Sequence, residues 1–511
     1  MLVRKMAIRR IHIENFRSIR ELDFEPTVLT ALIGKNNVGK SNILSAIELL
    51  LGEKWPPYAL KEEDIYNHDE NLTGKIELYF DSPIVHTYYG RNLEVNGFRL
   101  EFDAIHGGNL SCIDSDGNEV LTQYNKPLPL SNTIRNKVPA VLVSVDRNLS
   151  KILSASQWTI LGKILKDISE KFRGDDEKVE KFNRKMGEAT SILKIDNFRE
   201  LEKIIVDNVK HLTGFYDVSV RFKEPTVLSH YKNLDLIVKE SPNYKEFSAL
   251  EMGAGIQSAI VIALINAYKI LKRTGAILLI EEPEVYLHPH ARRYFYSLLR
   301  ELSEEGTQVF YTTHSTEFVD LNHYESVNIV RKDPSRGTYI CQGKSINIDH
   351  HSRDQLKLST EFDSTRNELL FAEKVMIVEG YTEKNAIPYL FSLKGIDINQ
   401  KSISIINAGS VTNIKFFVKI TKSLGIPFVV LMDTHSNKDN YEAYYVPLNN
   451  EIVELVEDNN LVFMMDPDFE NVFGLPERGD KIRNAVEKVK AINVEDIPEV
   501  VDNAINKLME L

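Results

Sequence analysis

Cysteine is nearly absent from this sequence: Cys112 and Cys341 are the two in 511 residues, far apart and in no metal-ligand spacing. That excludes a disulfide framework and a cysteine zinc site, and a reducing, cytoplasmic setting is expected. No stretch approaches the ~18 uninterrupted apolar residues needed to cross a bilayer, so no membrane association is expected. Met1 to Arg10 are basic, but no apolar signal-peptide core with a small-residue cleavage site follows them. Basic charge is also in deficit, with 62 Lys and Arg against 74 Asp and Glu and a net charge of −12. A uniformly basic nucleic-acid binder is thereby excluded, whereas a local basic patch beside carboxylate-rich sites stays compatible with DNA. Internal repeats and low-complexity tracts are lacking too. With 43% hydrophobic and 27% charged residues, the chain has an ordinary globular composition and the length of two to four domains.

The opening reads as strand, turn, strand. Ile11 and Ile13 alternate with His12 and Glu14, Asn15-Phe16-Arg17-Ser18 intervenes, and Val28 to Ile33 form an apolar run suited to a buried central strand. A Gly-rich segment and a helix from about Ser41 to Leu51 follow. Residues 74–145 are β-rich, broken by Asn96-Gly97, Gly107-Gly108 and Asp116-Gly117 turns. From Leu149 to Leu212 the spacing turns helical, with Ile160, Ile164, Ile168 and Phe172 on one face up to the break Gly174-Asp175-Asp176-Glu177. Strand-like stretches at 218–222 and 234–238 precede an α/β alternation of helix 257–272, strand 276–280, helix 288–304 and strand 307–312. The polar run Asn347–Gln355 reads as a linker. A second α/β pattern then comprises strand 374–378, helix 383–394, strand 402–406, helix 412–423 and strand 427–432.

Two motifs define a nucleotide site. Gly34-Lys35-Asn36-Asn37-Val38-Gly39-Lys40-Ser41 fits G-x-x-x-x-G-K-[ST], between an apolar strand and a helix. Gly34, Asn36, Asn37 and Gly39 let backbone N–H groups close round phosphates, Lys40 reaches the β- and γ-phosphates, and Ser41 holds Mg²⁺. The strand Ala276–Ile280 runs into Glu281-Glu282-Pro283-Glu284, which places Glu281 on the metal and Glu282 on the attacking water. His314, after the strand that ends in Tyr311-Thr312, is placed to sense the γ-phosphate.

These residues resemble the ATP-binding cassette (ABC) superfamily, in the branch that holds the RecF and SMC proteins. The Ile11-x-Ile13-x-Asn15-Phe16-Arg17 opening and the Glu281–Glu284 run carry the likeness. The resemblance implies a signature loop that completes a partner's ATP site, matched here by Ala254, Gly255 and Gln257. Ala254 stands where the family usually has serine, so a hydroxyl contact to the γ-phosphate is missing and slow hydrolysis is expected. Closure as a head-to-head homodimer is implied. The helical segment is too short for a long coiled-coil arm, and reads either as an inserted dimerisation module or as helical decoration.

A second site is expected downstream. Val375–Val378 is an apolar strand ending in Glu379-Gly380, with Thr382 placed to cap the next helix. Phe428–Met432 ends in Asp433, and carboxyl ends of parallel strands share one edge, so Glu379 and Asp433 can converge there for divalent-metal phosphodiester chemistry. The order resembles a Toprim domain. An SMC-like ATPase followed by such a domain resembles the OLD (overcoming lysogenization defect) family of ATP-dependent nucleases, which includes the nuclease subunit of the Gabija antiphage system. Arg366-Asn367-Glu368-Leu369-Leu370-Phe371-Ala372 belongs to that likeness. Residue by residue it implies metal ligation by Glu379, Glu383 and Asp433, a later acidic element with Asp468 and Glu470, and an active-site lysine at Lys481. Lys481 taken alone reads equally well as a solvated surface lysine.

One departure stands out: the family's Asp-x-Asp is Asp433-Thr434-His435 here. Imidazole suits softer ions than Mg²⁺, so either His435 shifts the preference toward Mn²⁺, or Asp439, Asp466, Asp468 or Glu470 supplies the ligand, or cutting is weak. The expected fold class is α/β: an ABC-type P-loop ATPase with a helical insertion, then a Toprim Rossmann-like domain. The expected boundaries are 1–148 and 215–345 for the ATPase halves, 149–214 for the insertion, 346–371 for a linker and 372–511 for the nuclease. The leading function is an ATP- and metal-dependent DNA endonuclease in antiphage defence or DNA metabolism, with a helicase or other defence protein as a further partner. The competing one is an ATP-switched DNA-binding or scaffold protein with a weak Toprim domain; a RecF-like repair protein would lack the second α/β module. Basic clusters at Lys269, Lys272 and Arg273 and at Arg292 and Arg293 could meet phosphates or simply be solvated helix faces.

Overall fold

β1 (Ile8–Phe16), β2 (Ile19–Phe24) and β3 (Leu29–Ile33) open the fold and lead into helix α1 (Lys40–Leu51). β3 is buried at every position, as a mainly apolar strand in a sheet covered on both faces must be; its one polar residue, Thr30, donates its hydroxyl to the Thr27 carbonyl at 2.9 Å. β4 (Gly74–Tyr88), β5 (Arg91–Asp103) and β6 (Gly107–Ile113) form an antiparallel meander beside β1, and β7 (Ala140–Val143) follows. This computed structural model describes residues 6–104, 107–147, 152–153, 158–192, 195–213, 227–231, 234, 236–239, 245–271, 277–345, 364–476 and 480–511. The chain divides into two units, residues 1–145 with 275–511, and residues 146–274. The sequence expectations for 218–222, for Lys272 and Arg273 and for the linker at 347–355 lie outside the described residues.

The second unit contains helices α2 (Ile160–Arg173), α3 (Asp176–Ile192) and α4 (Asp196–Thr213), the two-residue strands β8 (Ile237–Val238) and β9 (Phe247–Ser248), and helix α5 (Ala254–Leu271). Thr159 caps α2 by accepting from the Gly162 N–H at 3.0 Å, and α2 stops at Gly174 where the sequence breaks. The apolar stripe of α2 is only partly consumed: Ile160 and Ile164 are buried, while Ile168 is 39% exposed. Exposed apolar groups continue at Ile192, Ile195, Leu201, Ile204 and Ile205.

Back in the first unit, β10 (Ile277–Glu281), α6 (Pro289–Glu304), β11 (Val309–Thr313), β12 (Val327–Asp333) and β13 (Gly337–Gln342) complete an eleven-stranded sheet. Its order is β6-β5-β4-β1-β2-β13-β12-β3-β11-β10-β7. β7, β10, β11, β3 and β12 pair in parallel, while the remainder is antiparallel. A separate four-stranded sheet follows, built from β14 (Lys374–Val378), α7 (Tyr381–Leu393), β15 (Ile403–Asn407), α8 (Val411–Ser423), β16 (Phe428–Asp433), α9 (Val446–Val456) and β17 (Val462–Met465). Its strands are all parallel in the order β15-β14-β16-β17, so the order reverses between β14 and β16. Helices α10 (Lys481–Ala491) and α11 (Glu499–Glu510) close the chain. One local expectation fails: Thr382 lies inside the first turn of α7, and Gly380 occupies the N-cap with no side-chain bond. Among the described residues no helix is long and apolar enough to cross a membrane.

The helix that carries the Gly-rich loop is pinned at its far end by one buried cation. Arg135, fully buried, donates through Nε to the Leu50 carbonyl at 2.8 Å and through a terminal nitrogen to those of Gly52 and Lys54 at 2.9 and 3.1 Å. Carbonyls at a helix C-terminus lack intrahelical partners, and a guanidinium there also complements the helix dipole. Arg135→Leu is expected to destabilise this unit by on the order of 3 kcal/mol, because the carbonyls lose a charged donor in a site closed to water. Thermal unfolding of the two proteins checks this: an unchanged midpoint would contradict it.

Candidate functional site

The sharp turn after β3 is built by glycine. Gly34 and Gly39 have φ of 142° and 104°. A Cβ at Gly34 would sit 2.3 Å from the Val330 carbonyl oxygen, and one at Gly39 2.4 Å from Thr338 Oγ1. Asn37 is left-handed as well, at φ 64°, a conformation asparagine adopts more readily than most. Asn36 and Ser41 are exposed and Lys40 is buried. Lys40 Nζ donates to the carbonyls of Gly34 at 2.8 Å and Lys35 at 2.7 Å. Burial pulls its ammonium down to about 8, against the opposing pull of Glu282 and Glu284. Such a loop at a helix N-terminus offers backbone N–H groups and a cation to an anion.

Parallel register brings the other predicted groups alongside. Ile33 pairs with Thr313, and Glu281 with Thr312, so β3, β10 and β11 end together. Glu281 is the last residue of β10. Glu282 takes a left-handed φ of 42° and is held by its N–H, which donates to the carbonyl of Thr312 at 3.0 Å and to its hydroxyl at 3.1 Å. His314 Nε2 lies 3.9 Å from Glu282 Oε1. Burial and the Lys40 charge push the imidazole pKa down, with Glu282 opposing.

Glu284 is the residue to which the sequence assigned no role. It is buried, and its Oε1 accepts the His314 N–H at 2.6 Å, so it fixes the backbone that presents His314. Burial raises its pKa. The early Asn-Phe-Arg-Ser motif also reaches this region. Arg17 Nε donates to Asp64 at 2.7 Å, and Asn42 of α1 donates to Ser18 at 2.8 Å. Ala254, Gly255 and Gln257 stand in the second unit at the start of α5, where Gln257 Nε2 donates to the Met252 carbonyl at 2.8 Å.

The second group of predicted residues gathers at the carboxyl edge of the four-stranded sheet. Glu379 follows β14 and Asp433 ends β16, on either side of the point where strand order reverses, which is where open parallel sheets present a crevice. Single oxygen or nitrogen atoms of Glu379, Asp433 and His435 lie within 4.8 Å of one another. His435 Nε2 is 3.1 and 3.2 Å from the two Glu379 oxygens. The imidazole is turned in by a left-handed backbone, φ 59°, by its own N–H donating to the Pro467 carbonyl at 2.8 Å, and by the Tyr445 ring at 4.3 Å. Asp433 accepts the Phe469 N–H at 3.0 Å.

Glu383 is buried in the first turn of α7 and joins this negative crowd. Burial, with repulsion from Glu379 and Glu470, holds its carboxyl up at about 7. Asp433 is held up to about 9 by burial and by repulsion from Glu383, Glu379, Asp468 and Glu470. So many carboxylates in so little water are costly alone and become favourable around a cation, so the donor set fits a divalent metal.

The remaining acidic candidates are partly committed elsewhere. Asp466 Oδ1 accepts the Thr434 and Ser436 hydroxyls at 2.5 Å each. Asp468 caps the short helix Phe469–Val472, accepting from Asn471 N–H at 2.9 Å. Glu470 pairs with Lys481 Nζ at 2.9 Å, which raises the lysine's pKa and ties it to the cluster. Asp439 is exposed and stands outside the group of Glu379, Asp433 and His435.

Comparison with known proteins identifies two kinds of domain. A family model for an AAA ATPase domain matches residues 6–118 and 108–319, and one for the TOPRIM domain of overcoming lysogenization defect protein-like proteins matches 370–434. These two domains imply use of a nucleotide and of a divalent metal. The OLD nuclease of Thermus scotoductus is 30% identical, with 97% of each chain covered. The Old nuclease of Escherichia phage P2 is 29% identical over 84% of this chain and 77% of its own, and the endonuclease GajA of Bacillus cereus 22% over 89% and 80%. With a P-loop ATPase sheet, a TOPRIM sheet and a full-length relative at that identity, the chain belongs to the OLD (overcoming lysogenization defect) nuclease family.

Proposed function

We propose that this chain is an ATP-regulated, divalent-metal-dependent DNA endonuclease serving antiphage defence or DNA metabolism. The observation that carries the reading is the convergence of Glu379, Asp433 and His435 within 4.8 Å at the strand-order reversal. The names of the OLD and GajA relatives support the nuclease activity.

Glu379, Asp433 and Glu383 hold a divalent cation, Mg²⁺ or Mn²⁺, with Asp468 and Glu470 completing the negative field. The cation supplies Lewis-acid polarisation of the scissile phosphodiester. Lys481, poised beside Glu470, meets charge that develops on the phosphate. In the ATPase, the Gly34–Ser41 loop binds ATP, Ser41 and Glu281 hold Mg²⁺, Glu282 orients water and His314 senses the γ-phosphate. Ala254, Gly255 and Gln257 complete a partner's site in a head-to-head homodimer, and the exposed Leu201, Ile204 and Ile205 support further contact through the helical unit. A helicase or other defence protein joins as a separate partner.

The two activities should separate cleanly. Lys40→Ala is expected to abolish ATP hydrolysis, and Glu379→Ala to abolish nicking of plasmid DNA while ATP turnover persists. Nicking by Glu379→Ala at the wild-type rate would place the nuclease elsewhere.

Metal binding should appear in stability as well. Asp433 and Glu383 titrate near 4 when unfolded but at about 9 and about 7 when folded. Between those values the folded chain keeps protons that the unfolded chain has lost, so stability falls as pH rises. Without divalent cations the thermal midpoint of wild type should therefore fall more steeply from pH 6 to 8 than that of Asp433→Asn. Mn²⁺ or Mg²⁺ should restore it most at pH 8. Parallel slopes in the two proteins would refute this.

His435 decides the metal preference. As a ligand it favours Mn²⁺ over Mg²⁺, so His435→Asp should raise Mg²⁺-supported cleavage and His435→Ala should lower Mn²⁺-supported cleavage. The contact of Nε2 with Glu379 favours a second reading, in which His435 only orients that carboxylate. Identical metal preference in all three proteins would select it. No cleavage with either metal, in wild type or His435→Asp, would point instead to an ATP-switched scaffold.

A further inference from the structure

The segment Ser364–Phe371, a 3₁₀ helix entering β14, touches both chemistries at once. On one side Asn367 Nδ2 donates to the carbonyls of Thr316 at 3.0 Å and Val319 at 2.8 Å. These are the first residue of the short turn Thr316–Phe318 and the residue just after it, and the turn follows His314 and Ser315. The turn is otherwise tied down by Tyr311, whose hydroxyl donates to the Phe318 carbonyl at 2.7 Å, and by Arg292, 3.3 Å from Glu317. On the other side the adjacent Arg366, buried, stands over the Phe417 ring at 6.0 Å. It also fills the space beside Gly409, where a Cβ would lie 2.9 Å from its guanidinium nitrogen. Ala408, next to Gly409, donates its N–H to the Val378 carbonyl at 2.8 Å, one residue before Glu379. Leu369 and Leu370 are buried, so the helix cannot slide without repacking.

We infer that Asn367 is a positioning residue that transmits the nucleotide state of the His314 turn to the metal-binding edge at Glu379, with the adjacent Arg366 as its relay. This rests on the proposed ATP-regulated nuclease. One amide nitrogen spends both protons on two carbonyls three residues apart, so it reads the pitch of that turn. A shift of His314 toward a γ-phosphate changes the spacing of those carbonyls and draws Asn367 with it. Arg366 carries the displacement to the Gly409 loop, and so to the backbone that ends in Glu379. Coupling of this kind requires only that both sites bias one shared element.

The test uses the full-length protein, plasmid DNA with Mn²⁺, and a non-hydrolysable ATP analogue. The isosteric Asn367→Asp removes both donors and sets a carboxylate against two carbonyl oxygens; Asn367→Ala removes the donors without adding charge and serves if the first variant fails to fold. Wild type is expected to change its cutting rate about fivefold or more when the analogue binds. In both variants that ratio should fall to within about twofold of one, while nucleotide-free cutting and ATP hydrolysis stay close to wild type. Hydrogen exchange read across residues 364–371 and 379–383 should respond to the analogue in wild type and not in the variants. A variant that keeps the wild-type ratio, or wild-type exchange at 364–371 that ignores the analogue, overturns the inference. Wild type that cuts no DNA would sink the nuclease reading instead, and the exchange measurement would still judge the coupling.

Discussion

Parallel pairing of β3, β10 and β11 sets Ile33 against Thr313 and Glu281 against Thr312. That register brings Glu281, Glu282 and His314 beside the end of β3, where the Gly-rich loop begins. Each strand is buried along most of its length, and its reactive residues come at the end, where the backbone leaves the sheet. The same constraint operates again in the smaller sheet, where Glu379 follows β14 and Asp433 ends β16. Two sheets of different size therefore solve one problem in one way: apolar residues fix the strand, and the carboxyl edge is where polar groups from neighbouring strands converge.

The two edges differ in how they handle charge. At the P-loop the main anion-binding feature is the backbone itself, made possible by Gly34 and Gly39, whose positions admit no Cβ. A cation, Lys40, is buried beside it, and its lowered pKa records the cost of that burial. At the TOPRIM edge carboxylates are crowded instead, and the raised pKa values of Asp433 and Glu383 record repulsion as well as burial. The chemistry of the first arrangement suits an anion such as phosphate, and that of the second suits a divalent metal.

Between them the first unit carries a direct physical connection. Asn367 and Arg366 are neighbours in sequence, yet one binds the carbonyls beyond His314 and the other packs against Phe417 and Gly409. A second contact joins Lys35 of the Gly-rich loop to Glu373 at the start of β14, but both side chains are more than half or about half exposed. Exposed ion pairs contribute little. The buried and hydrogen-bonded contacts of the 3₁₀ helix are the stronger mechanical link.

Sequence alone determined the strand ends. Largely apolar runs stop at or shortly before Gly34, Glu281, His314, Glu379 and Asp433, and a run of that kind has few places to be except the middle of a covered sheet. Motif spacing then assigned Lys40, Ser41 and Glu282, because phosphate binding constrains the local backbone. What depended on contacts between distant segments was not legible. Glu284 reads as one more acid of a turn until β11 brings the His314 N–H to its carboxylate. Thr382 reads as a cap, whereas α7 begins at Tyr381, beyond the reach of a rule that sees only residue type. His435 reads as a lost carboxylate, and tertiary structure turns its ring onto Glu379 through a left-handed backbone and the Tyr445 ring. Local pattern encodes what a segment does with its own backbone; which side chains from segments tens or hundreds of residues apart share a hydrogen bond is decided only when the sheets close.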